Sequence, residues 1–212
     1  MSTSLRVLLA TIVNGITVYG VFVGGWTVAT ALALYWSENV LGIVLLALLF
    51  TIHRIVTHKR GHQRGLLQAF LFQSSLFTFF HGVFLGLFIF LIFPNITTTE
   101  LFNPAQFKLG MMMIGGVLLV RFLIDVAMVK NMPFVTLREK SEAFMSRVVI
   151  VHLTIIFGMI AMGASGRPRG MFAVFAALKF LIDLIPVSDP RLSPKKQRAA
   201  QAQIADDELV QA

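Results

Sequence analysis

Cysteine is absent from the 212 residues, which excludes disulfides, thiolate metal sites and cysteine nucleophiles. Charge is scarce too: 13% of the residues are Asp, Glu, Lys or Arg, against roughly 25% in soluble domains. Polar aromatics are few, with two Tyr and two Trp beside twenty Phe. What remains is 57% apolar, with a mean hydropathy of +0.81. A chain so poor in charge expects hydrocarbon as its solvent. Its apolar runs are continuous rather than alternating, so the pattern of a membrane barrel is also missing. Helices of about 20 apolar residues then satisfy every backbone N–H and C=O within lipid. The expected fold is all-α, a polytopic transmembrane helical bundle.

Six spans are predicted, at 7–24, 27–53, 66–93, 107–130, 147–165 and 168–187. Together residues 1–187 form the bundle, and the polar stretch 188–212 reads as a cytoplasmic tail that is solvated and flexible. Gly24, Gly25 and Trp26 mark a tight turn between the first two spans, with Trp26 suited to the membrane interface. Pro94, Pro104 and Pro168 punctuate the later ones. One Arg precedes the first apolar run and no small-residue cleavage site follows it, so a retained span is expected rather than a removed signal.

The basic residues orient this bundle. With both termini in the cytoplasm, the inner segments hold Arg6, then Arg54, Lys59, Arg60 and Arg64, then Lys130, Arg138, Lys140 and Arg147, then Arg191, Lys195, Lys196 and Arg198. Only Lys108, Arg167 and Arg169 fall outside, so the bias follows the positive-inside rule. The net charge of +8 is thus a topology signal plus attraction to anionic headgroups, foremost at Arg54, Lys59, Arg60 and Arg64. It gives no reason to expect nucleic acid. His53, His58 and His62 lie in the same basic stretch, and headgroup contact suits it better than metal, since no carboxylate is near. The expected location is the plasma (inner) membrane of a prokaryote.

Ionisable side chains inside a span face the bundle interior and pair, or they serve function. Here they are Glu38, His81, Arg121, Asp125, His152, Lys179 and Asp183, with Asn14, Asn39 and Gln73 as neutral companions. Counting about 1.5 Å per residue from the inner helix ends sorts them into two layers. Glu38 and His81 form an upper pair; Arg121, Asp125, Lys179 and Asp183 form a lower cluster. RFLID (121–125) and KFLID (179–183) echo each other, each with a base and an acid four apart on one face. Cross-pairs Arg121–Asp183 and Lys179–Asp125 are reasonable, and structural locking is the favoured role. Ser74, Thr78 and His81 share one face of the third span. His81 can be a neutral interhelical hydrogen-bonding group, a proton relay or a metal ligand. Glu38, His81 and His152 are the candidate two-histidine, one-carboxylate metal set, although the same count puts His152 shallower than the other two. GASG at 163–166 matches a rhomboid-protease motif, but every histidine precedes Ser165, so that reading is rejected.

Tyr35, Trp36, Glu38 and Asn39, then Phe77, His81, Gly82 and Phe84, then Arg147, His152 and Thr154 together resemble a family of prokaryotic six-helix membrane proteins known only as a domain of unknown function. The family typically has His-Tyr-Gly where this chain has Gln73, Ser74 and Ser75, which weakens the case for metal chemistry. The resemblance implies a shared fold and a polar interior, and no activity. The preferred functional expectation is binding or relay of a small ion or proton through the polar layer, without a cofactor. The alternatives are a non-catalytic accessory or assembly protein held by interhelical ion pairs, and an intramembrane enzyme acting on lipid.

Overall fold

The computed structural model describes residues 3–57, 62–92, 102–165 and 168–184. Among them the chain is all-helical: α1 (Thr3–Phe22), α2 (Val28–Thr57), α3 (His62–Ile92), α4 (Pro104–Ala127), α5 (Phe134–Ser165) and α6 (Pro168–Leu184). A short 3₁₀ turn, Val129–Asn131, joins α4 to α5. Among the described residues three helices are long and apolar enough to cross a membrane, namely α2, α4 and the Gly65–Leu87 stretch of α3. Two shorter apolar stretches are Val7–Phe22 of α1 and Phe172–Leu181 of α6. This is the architecture of a helical membrane bundle.

Local chemistry sets the boundaries. The Asn103 side chain accepts hydrogen bonds from the N–H groups of Ala105 and Gln106, and Pro104 follows at the first helical position, so α4 starts there. Between α1 and α2, Gly25 takes φ +67°, the left-handed region that glycine enters without a Cβ penalty. The Trp26 N–H then reaches back to the Gly20 carbonyl at 2.8 Å, and the indole lies over Gly20.

Apolar on nearly every side, α2 forms the axis of the bundle and touches each of the other described helices. Ala31, Leu34, Leu49 and Phe50 are fully buried along it. Close approach to α3 depends on Gly82: a Cβ there would stand 2.7 Å from the Trp36 Nε1. The same indole donates to the Thr78 carbonyl at 3.0 Å. By contrast Phe72, Phe79 and Phe80 on the outer side of α3 are exposed, as a lipid-facing surface would be.

Several boundaries differ from the sequence reading. The fifth helix begins at Phe134, not 147, because the polar run REKSE interrupts apolarity but not the helical stripe. Leu137, Ser141 and Val148 of that stripe are all buried. The second helix continues to Thr57, so His53 and Arg54 belong to it rather than to a loop. His53 is buried, and because a carbonyl only accepts, its Nε2 donates to the Met132 carbonyl at 2.8 Å. Farther up, the Ser74 hydroxyl donates to the Met145 sulfur at 2.9 Å. These two contacts put the first turns of α3 and α5 level with each other and with the end of α2. His58, Lys59 and Arg60 and the tail 188–212 lie outside the described residues, as does the Arg64 side chain.

Candidate functional site

On α6, Phe172, Phe175, Ala176 and Lys179 fall at helical spacing on one buried face. Three apolar positions are thus continued by an amine, and Lys179 is only 3% exposed. A bare ammonium there would be prohibitively costly, so its surroundings must compensate. They do. Lys179 Nζ donates to Asp183 Oδ2 at 2.9 Å, one turn on along the same helix. It lies 3.3 Å and 3.2 Å from the two carboxylate oxygens of Glu38 on α2. It also donates to Asn14 Oδ1 of α1 at 3.2 Å and sits over the Tyr35 ring, 4.8 Å from its centre.

Asn14 closes the arrangement. Its amide nitrogen donates to Asp183 Oδ2 at 2.8 Å while its oxygen takes the lysine, so one buried side chain bridges cation and anion. The hydroxyls of Thr17 and Tyr35 share a hydrogen bond, and Thr17 also donates to the Asn14 carbonyl at 3.0 Å. Thr17 has a single proton, so Tyr35 acts as the donor to it when that proton goes to the carbonyl. The node thereby joins α1, α2 and α6.

A cavity of about 140 Å³ extends from this node toward α4 and α5. Its charged lining comprises Glu38, Arg121, Asp125, Lys140, Lys179 and Asp183, alongside Asn39 and apolar residues such as Leu46 and Phe122. At its far end Lys140 of α5 donates to Asp125 Oδ2 of α4 at 2.7 Å. Three carboxylates and three cations leave a formal charge of zero. A partly open, charge-balanced space of this size, with polar groups set in an apolar lining, has room for several water molecules.

The pairing differs from the two layers read from sequence. Glu38 joins Lys179 and Asp183, not a separate tier, and Asp125 takes Lys140 in place of Lys179. Counting depth from each helix end treats those ends as level, whereas α2 extends well beyond the level at which the described part of α6 stops. His81 is buried on the Ser74–Thr78–His81 face of α3, between the Thr78 carbonyl and the Gly82 that meet the Trp36 indole, but does not line the cavity. The side chains of His152, Arg147 and Thr154 lie outside the described residues, so the Glu38, His81 and His152 set is only partly described. Among the described residues no three His, Asp or Glu side chains are placed to hold a metal ion.

Sequence reading passed over Asn14 as a companion and placed Lys140 in a loop. For Asn14 the signal was an amide midway along the first apolar run. For Lys140 it was the Leu137–Ser141–Val148 periodicity, which makes the segment a helix with Lys140 beside its buried stripe.

A family model described as "Family of unknown function (DUF6498)" matches residues 1–205. No curated protein and no solved structure matches the chain.

Proposed function

The chain belongs to the family of unknown function DUF6498, as the resemblance implied, and since that description carries no activity we propose from the site itself that the bundle binds and relays a proton. The observation that supports this most is the sharing of one buried ammonium by two carboxylates. When one carboxylate accepts a proton, the other still compensates Lys179, so the cation is never stranded. Glu38 is the exchanging group. Its contacts to Lys179, at 3.2 and 3.3 Å, are looser than the 2.9 Å contact of Asp183, which Asn14 holds as well. Water in the cavity would carry the proton onward to Asp125, where Lys140 covers the far end.

In this reading the chain crosses the bilayer six times, with both termini and the basic ends of its helices in the cytoplasm of a prokaryote. The excess of Lys and Arg on those segments supports that orientation. Arg54 and its basic neighbours in sequence would meet anionic headgroups there. His81, buried on α3 and outside the cavity lining, would not be a step of the relay.

Proteoliposomes loaded with a pH-sensitive dye test the proposal. Wild-type protein should dissipate an imposed pH gradient, and Glu38→Gln should slow this at least about tenfold while its melting temperature in detergent stays close to wild type. Unchanged flux in the variant, or no flux in the wild type, would overturn it.

A second reading is an accessory membrane protein in which the same charges only fix helix packing. The formal charge balance favours it, since a lock needs no spare proton site. It expects Glu38→Gln to lower stability and flux to be absent throughout.

A further inference from the structure

Between the first turns of α3 and α5 lies a second space, an open groove of about 780 Å³. Leu66, Phe70 and Met145 give it an apolar stretch, with Gln73 and Ser141 also in its lining. Its rim carries Arg138 and Glu142, one helical turn apart on α5. Their side chains are 64% and 61% exposed, and Arg138 Nε donates to Glu142 Oε1 at 2.8 Å. An exposed pair of this kind contributes little to stability, so it opens at small cost to other partners.

Height decides what those partners are. The Ser74–Met145 and His53–Met132 contacts align the starts of the two helices. Arg138 and Glu142 therefore stand level with the opening apolar turns of α3, where the hydrocarbon of a surrounding bilayer would give way to headgroups. An apolar stretch with a cation and an anion at its rim has the polarity of a phospholipid whose headgroup carries both signs. A phosphoethanolamine group places its phosphate and its ammonium two carbons apart, a spacing that suits two side chains one turn apart on a helix.

We infer that this groove holds a phospholipid with an ethanolamine headgroup, its phosphate on Arg138, its ammonium on Glu142, and an acyl chain along Leu66, Phe70 and Met145. A purely anionic lipid would leave Glu142 facing the phosphate. A choline headgroup would offer no N–H to the carboxylate. The inference requires the chain to lie in a bilayer but is independent of proton relay, so either can fail alone.

Native mass spectrometry of the full chain in detergent, titrated with phosphatidylethanolamine, phosphatidylcholine or phosphatidylglycerol, tests it. The ethanolamine lipid should be retained about tenfold more tightly than the other two, the worth of one charge-assisted hydrogen bond. Glu142→Gln should remove that preference, and Arg138→Gln should weaken all three lipids. Gly65→Leu is the filling variant: Gly65 lines the groove and a Cβ there meets nothing within 4 Å, so the branched side chain should enter the groove and exclude lipid without disturbing the helix. Equal retention of the three lipids, tighter retention of the glycerol lipid, or insensitivity to Glu142→Gln and Gly65→Leu would overturn the assignment.

Discussion

Lys179 is the residue on which the interior balance turns. Replacing it with Met fills a similar volume but leaves Glu38 and Asp183 facing each other without the cation they share. Removing one partner from a buried ionic cluster costs about 3–5 kcal/mol. Lys179→Met should therefore lower the melting temperature in detergent sharply. Combining it with Glu38→Gln, which removes one charge of each sign, should recover most of the loss. If the double variant melts no higher than the single one, the two side chains do not act as a pair. Much of this cluster was legible in the sequence: Glu38, Arg121, Asp125, Lys179 and Asp183 stand out wherever a greasy run tolerates charge. Their partners were not legible. Which acid meets which base depends on how far each helix extends past its neighbours, and helix-end counting contains no such offset. Asn14 was underrated for a related reason, since a lone amide on an apolar face gains meaning only from what faces it.

At the scale of elements, the α2–α3 contact rests on an absent side chain. Gly82→Ala would press a methyl group against the Trp36 indole, where a Cβ would stand 2.7 Å from Nε1. Overpacking of this kind costs about 1–3 kcal/mol, and it also strains the Trp36 to Thr78 hydrogen bond. Gly86, one turn farther on, is the matched control: a Cβ there meets nothing within 4 Å. Gly86→Ala should leave the melting temperature unchanged or raise it slightly, through better helix propensity. Equal losses in both variants would mean that helix flexibility, not the indole contact, is what Gly82 provides. The start of α5 teaches the complementary lesson. Hydropathy hides it because Arg138, Glu139, Lys140, Ser141 and Glu142 are polar. Periodicity carries it, since Leu137, Ser141 and Val148 recur on one face.

For the whole molecule, the orientation reading meets a direct test, made simple by the absence of native cysteine. The exposed Gly24, in the turn before α2, and the exposed Lys130, in the turn that packs near its other end, lie at opposite ends of that helix. In intact cells Gly24→Cys should react with a membrane-impermeant maleimide, and Lys130→Cys should react only after the membrane is opened. The reverse pattern would invert the topology, and reaction at both would remove α2 from the bilayer.

The node at Asn14, Glu38, Lys179 and Asp183 also has a consequence for biosynthesis. Asn14 bonds Asp183 across 169 positions of chain, and Glu38 meets Lys179 across 141. As the chain emerges, the first hairpin enters the membrane carrying an acid whose cation has not yet been made. Until α6 is synthesised, Glu38 lacks the Lys179 ammonium that it faces in the finished bundle. Arrival of Lys179 supplies the shared cation, so the node closes only when α6 joins α1 and α2. A ribosome stalled before residue 168 should accordingly leave a nascent bundle that proteases cut readily, and release of α6 should end that sensitivity.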